Sequence, residues 1–262
     1  MKWASALGEH ADLGTAIGQA SQQVRTALGG SPDLVFAFVG ESHRRSYGQV
    51  PGLVAEHLGG GCLVGCSASG VVAGGHEYEQ VPAVSLTAGR LPGVRAVARW
   101  IAPDAVPPAD DSPLVWQRLL GVTPADAPAF VVLADPFTCP AEQLLAGLDR
   151  VFPDCAKLGG LASGMRRPGE AALYANGDTM RAGAICLALT GDLRVDTTVA
   201  QGCRPIGDPL FVTRAADDQL LELDGRRPID VVRDLFERLD ERDRELFQHS
   251  LFLGITMRPA GS

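Results

Sequence analysis

The chain has 262 residues, 46% of them hydrophobic and 21% charged, which suits one large or two modest globular domains able to bury a core. Its formal charge of −8 works against a nucleic-acid partner, whose phosphates would repel it. The opening Met1-Lys2-Trp3-Ala4 carries no apolar leader and no apolar run reaches the length of a membrane span, so a cytoplasmic protein without membrane insertion is expected.

In chain order, Leu13, Ala16, Ile17, Ala20, Val24, Ala27 and Leu28 recur three and four apart and predict an amphipathic helix stopped by Gly29-Gly30. The unbroken apolar run 34–39 predicts a buried strand, followed by a polar loop over 41–48 and a short helix over 51–58. Gly59-Gly60-Gly61 ends that helix, and strand 62–64 runs into the turn Gly65-Cys66-Ser67-Ala68-Ser69-Gly70-Val71. Runs 83–88 and 94–100 predict a hairpin joined by 89–93. Segment 103–113 holds Pro103, Pro107, Pro108 and Pro113 among aspartates, which marks it as an internal seam.

Beyond the seam the order repeats. A short helix is predicted over 114–120, a buried strand over 130–133 and an amphipathic helix over 141–152. A second turn follows, Gly159-Gly160-Leu161-Ala162-Ser163-Gly164-Met165, and strands over 182–189 and 193–200 match the earlier hairpin. Asn176-Gly177-Asp178 reads as a tight turn. Together these predict a mixed α/β fold. Two pseudo-symmetric repeated units of sheet flanked by helices, 1–102 and 114–201, make up one domain over 1–201. Residues 202–262 read as a partial α+β unit, with a hairpin of 209–213 and 219–223, a helix carrying Ile229, Val232, Leu235 and Phe236 on one face, a second short helix, and a strand over 251–255.

In open α/β proteins ligands collect beyond the carboxyl ends of strands, where both turns are expected. Glycine and alanine let a ligand approach the backbone, successive amides favour an anion, and Ser67, Ser69 and Ser163 add hydroxyls. The candidate binding residues are therefore Cys66, Ser67, Ala68, Ser69 and Gly70 in the first turn and Gly160, Ser163 and Gly164 in the second. Tight packing of small residues is the competing explanation. Arg204, between Cys203 and Pro205 in a Gly-bounded turn, either clamps a carboxylate or caps carbonyls. Glu41 and Asp135 each follow a leading strand, where they meet a ligand's amino group or bind turn amides. The Cys66 thiol is either an activated nucleophile or a packed group; packing is favoured, because the second copy has Gly160 there and no His or Asp lies close in sequence. The six cysteines form no C-x-x-C pair and the five histidines lack ligand spacing, so no metal or cofactor is expected.

The two turns and, above all, Val199-Ala200-Gln201-Gly202-Cys203-Arg204-Pro205-Ile206-Gly207 resemble the FIST family over the whole chain. The resemblance implies an N-terminal FIST domain over 1–201 and the opening of a C-terminal FIST domain, cut short, over 202–262. It implies a sensory module that binds small ligands, amino acids among them, and signals through a separate output protein. The functional expectation is non-covalent recognition of an amino acid or similar small carboxylate, with turn amides at one end and Arg204, beside Cys203, neutralising the carboxylate. A cysteine-dependent enzyme using Cys66 or Cys203, or a protein-interaction scaffold, stands as the alternative. Lysine occurs only at Lys2 and Lys157, which points to a GC-rich bacterial genome.

Overall fold

The computed structural model describes residues 1–198, 204–216 and 219–254, and the chain divides into two units, Met1–Thr197 and Thr198–Ser262. The first unit opens with β1 (Lys2–Glu9), α1 (Leu13–Leu28), β2 (Leu34–Gly40), α2 (Val50–Leu58) and β3 (Cys62–Ala68). A small hairpin of β4 (Gly70–Ala73) and β5 (His76–Glu79) precedes β6 (Ala83–Arg90). There follow β7 (Val94–Ile101), α3 (Pro113–Leu120), β8 (Ala129–Ala134), α4 (Ala141–Val151), β9 (Lys157–Leu161), β10 (Leu173–Ala175), β11 (Asp178–Met180) and β12 (Ala184–Gly191).

Strand order exposes the duplication. One sheet runs β1-β6-β2-β3 and the other β7-β12-β8-β9, and in each the last pair is parallel while the rest are antiparallel. The first sheet is then widened to six strands by β10 and β11, which join the free edge of β3. The two parallel pairs share a backbone detail. Gly65 lies opposite Ala37 and Gly159 opposite Val132, and a Cβ on either glycine would stand 1.9 Å from the facing carbonyl oxygen. Both halves need a residue without a side chain at the same register.

The two sheets bury one face against each other and the other against helices, giving an α/β/β/α order of layers. Along β2, Val35, Ala37 and Val39 pack with Ile17, Val24 and Leu28 of α1 and with Val54 of α2, whereas Leu34, Phe36 and Phe38 face the second sheet. Along β12, Ala184, Cys186 and Ala188 pack with Trp116 of α3 and Leu144 and Leu148 of α4, whereas Ile185, Leu187 and Leu189 join the core between the sheets. Burial on both faces turns the period-two pattern into an unbroken apolar run, the form these strands take in the sequence.

Two predicted pairings are corrected. Runs 83–88 and 94–100 are strands, but they do not form a hairpin: β6 pairs with β1 and β2, and β7 pairs with β12 in the other sheet. The linker crosses between the sheets because Leu91 is buried in their shared core and its amide donates to the Asp33 carboxylate at 2.6 Å. The second repeat thus begins at β7, before the Pro-rich segment 103–113 that was expected to part the halves. The strand predicted over 193–200 is not formed at 193–198, and residues 199–203 lie outside those described. Its presumed neighbour β12 is central, flanked by β7 and β8, so no edge is left for a hairpin partner. Strand β1 and the hairpins β4–β5 and β10–β11 went unpredicted. Asn176-Gly177 does form the two-residue turn of β10–β11, with Asn176 at φ 52°.

In the second unit β13 (Val212–Ala216) pairs antiparallel with β14 (Gln219–Leu223), followed by α5 (Pro228–Arg238) and α6 (Glu241–Ser250). Residues 251–254 form no strand, and residue 255 lies outside those described.

The glycine requirement is testable. Gly159→Ala forces a Cβ into the Val132 carbonyl at φ +147°, whereas the neighbouring Gly160 has nothing within 4 Å of its Cβ position. Denaturant unfolding is expected to show Gly159→Ala destabilised by about 1–3 kcal/mol or more. Gly160→Ala is expected within about 0.5 kcal/mol of the wild type.

A charged hollow beside interlocked turns

The packing of sheet on sheet brings the ends of β3 and β9 together, and the two Gly/Ser turns meet there. Ser163 N–H donates to the Ser67 carbonyl at 3.1 Å, and Ser69 N–H donates to Ser163 Oγ at 3.0 Å. The matching hydroxyls of Ser69 and Ser163 stand 3.4 Å apart. Ser67 is buried; its N–H donates to the Ala172 carbonyl and its Oγ accepts from Ala172 N–H. Gly164, at φ +78°, lies so close that a Cβ would stand 2.8 Å from the Ala68 oxygen and 3.0 Å from Glu41. The amides of Ser67, Ser69 and Ser163, expected to face a ligand, are therefore engaged with the opposing turn or its loop.

The other predicted residues fall as follows. Cys66 is buried between the sheets, and burial pushes its thiol up to about 12. It is protonated at neutral pH and serves as packing. Ala68 is buried, Gly70 opens β4, and Gly160 sits on the exposed strand β9. Arg204, in the second unit, is paired with Asp243 of α6; Cys203 lies outside the described residues. Asp135 is fully buried and accepts from Phe137 N–H and Thr138 Oγ, so it organises a turn.

Charges gather next to the interlock. After β2 the chain enters a 3-10 run, Glu41–Gln49, whose period of three residues stacks Arg44 over Glu41 with an N–O distance of 3.0 Å. Arg44 also donates to the Gly164 carbonyl and stands 3.4 Å from Glu170. Glu170, in the loop after β9, accepts from Arg167 Nε at 2.8 Å and from Arg166 N–H at 2.9 Å. These hydrogen bonds, the Arg166 amide first, hold its carboxyl below the usual range. Glu41, Arg44, Arg166, Arg167 and Glu170 line a hollow of about 480 Å³. Among the described residues the Arg166 guanidinium has no ion-pair partner. His43 and Tyr47 of the same 3-10 run are buried, and burial raises the Tyr47 phenol to about 12 and lowers the His43 imidazole.

Of these residues only Glu41 was singled out from the sequence. The missed signal is a pair of adjacent arginines just past each place where a ligand was expected, Arg44-Arg45 after the leading strand and Arg166-Arg167 after the second turn. Arg44 reaches the Gly164 carbonyl across 120 positions, a contact invisible along the chain.

Comparison with known proteins now decides the family. The FIST N domain model matches residues 33–226. The chain belongs to the FIST N domain family, a family of sensory, signal-transduction domains. The match runs from β2 through β14 and so passes the division at Thr197. Among relatives, the uncharacterized protein Rv0628c of Mycobacterium tuberculosis is 31% identical over 255 residues, and the uncharacterized protein Mb0898c of Mycobacterium bovis is 32% identical over 249. Each alignment covers 94% of this chain, which spans 62% of the relative's length. Among the described residues of this FIST chain, no helix is long and apolar enough to cross a membrane.

Two measurements check this chemistry. Cys66 in the folded protein is expected to resist iodoacetamide at neutral pH and to react only after denaturation; rapid labelling of the native state would refute a packed, protonated thiol. Because the Glu170 carboxyl is depressed, its stabilisation is fully present above the ordinary carboxylate range and is lost as pH falls through its lower folded value. A carboxyl NMR titration should find Glu170 protonating at a lower pH than an ordinary glutamate.

Proposed function

We propose that this FIST domain senses a small carboxylate metabolite, an amino acid foremost, bound non-covalently in the charged hollow. The observation that carries the reading is the Arg166 guanidinium, without an ion-pair partner among the described residues, standing with Arg44 and Arg167 on a hollow of about 480 Å³, a size suited to a metabolite. A guanidinium presents two parallel donors to a carboxylate. Glu41, whose side chain is 41% exposed, supplies the opposite charge for a ligand ammonium. Arg166 thus takes the part first given to Arg204, whose guanidinium has Asp243. Ser67, Ser69, Ser163 and Gly164 form the support beneath the seat.

The hollow draws Glu41 and Arg44 from the first repeat and the other three residues from the second. A ligand that grips both shifts their arrangement by its differential affinity for the two states. A separate output protein in the cytoplasm reads that shift, and residues 202–262 open the C-terminal FIST domain in this reading.

Thermal stability screened against amino acids and small organic acids tests the proposal. A ligand at a hundredfold over its Kd should add about 2.7 kcal/mol. Arg166→Ala should weaken binding by roughly ten- to a hundredfold, the loss of one charge-assisted contact of about 1.5–3 kcal/mol. It should leave the unliganded melting point nearly unchanged. Glu41→Gln should weaken amino acids while sparing carboxylates that lack an ammonium. Undiminished binding in Arg166→Ala would place the seat elsewhere.

A further inference from the structure

Glu170 makes an unusual set of contacts for a loop carboxylate. One oxygen accepts from the Arg166 amide at 2.9 Å and faces an Arg44 nitrogen at 3.4 Å, while the other accepts from Arg167 Nε at 2.8 Å. Two hydrogen-bond donors and the Arg44 cation, from three residues and both repeats, converge on one carboxylate at the wall of the hollow, and its side chain is 18% exposed. Glu41 differs, since its one ion-pair partner among the described residues, Arg44, is three residues away on the same 3-10 turn. The array around Glu170 is what a free carboxylate needs. It also engages two of the three cations in the hollow, Arg44 and Arg167.

We propose that Glu170 is a tethered stand-in for the ligand's carboxylate, which must displace it from Arg44 and Arg167 to bind fully. The inference rests on the hollow's being the ligand seat and adds how that seat is regulated. The tether suits the role. Pro168 and Gly169 precede Glu170, with Gly169 at φ +84° and open space about it, so the residue sits at the end of an exposed bend. Directly after it, Ala172 exchanges hydrogen bonds with Ser67, and β10 pairs with β3. Release of Glu170 therefore frees a segment whose next residues hold the interlocked turns. Arg166 serves as the first contact, since its guanidinium is not engaged by Glu170.

Formate, the smallest carboxylate, tests this without knowledge of the natural ligand. Wild type, Glu170→Gln and Glu170→Ala are titrated with formate against chloride at matched ionic strength, reading the melting temperature and the guanidinium Nε–H signals of Arg44 and Arg167. The expected result is saturable stabilisation of both variants, with an apparent formate affinity on the order of tenfold above that of wild type. Adding Arg166→Ala to Glu170→Ala should remove the response. Equal or weaker formate binding in the two variants, with the wild-type response still dependent on Arg166, overturns the stand-in role and leaves the seat intact. A response in Glu170→Ala that survives Arg166→Ala overturns it as well, because the anion then binds elsewhere. Absence of any formate-specific response in all three proteins sinks both the seat and the stand-in.

Discussion

Burial of one sheet against the other governs the rest of the first unit. Leu34, Val64, Cys66 and Leu173 of the six-stranded sheet share a core with Leu133, Ile185, Leu187 and Leu189 of the four-stranded sheet. Apolar burial supplies the drive, at about 25 cal/mol per Å² removed from water, but it has no direction. Direction comes from the backbone. Gly65 and Gly159 permit the same close approach in each parallel pair, and Leu91 leads the chain from one sheet into the other. With those restraints in place, the carboxyl ends of β3 and β9 have to meet, and Ser67, Ser69 and Ser163 bond across the junction.

The charged hollow is a consequence of that meeting. Side chains on the strands are committed to the cores, so the segments leaving the strand ends carry the polar groups. Partly exposed ion pairs of this kind add about 0–1 kcal/mol each, too little to explain why arginines from two repeats gather on one glutamate. Cys66, in the core between the sheets, and Tyr47, in the core under the helices, are both pushed up to about 12 by burial and stay neutral.

The repeats are alike in topology and unequal in surroundings. Strand β3 is buried and flanked by β10, whereas its counterpart β9 is exposed along Leu158–Leu161 and part-buried only at Lys157. The hairpin that follows β3 pairs only with itself, and Val71 packs with Ala68 and Ala83. The hairpin that follows β9 crosses over to widen the first sheet. This exchange places the loop bearing Arg166, Arg167 and Glu170 next to Glu41 and Arg44. A strictly symmetric pair would lack that meeting.

Local pattern alone determined the helices α1, α2, α3 and α4, the buried strands β2, β8 and β12, and the fact of duplication, since each rests on periodicity or on glycines a few residues apart. The same reasoning reached the packed state of Cys66, but it assigned to turns residues 65–68, 70–71 and 159–161, which belong to β3, β4 and β9; strand 62–64 runs on to Ala68. It missed β1, which is only part buried, and β4–β5 and β10–β11, whose strands are of three or four residues, too short to show a period. Tertiary structure decided which strands pair, because the linker 89–93 fits a hairpin as well as a crossover until Leu91 finds the core between the sheets. It decided the site too. The turn amides are engaged across 94 positions and Arg44 meets Gly164 across 120, and no spacing along a chain encodes contacts that exist only once two sheets have closed on each other.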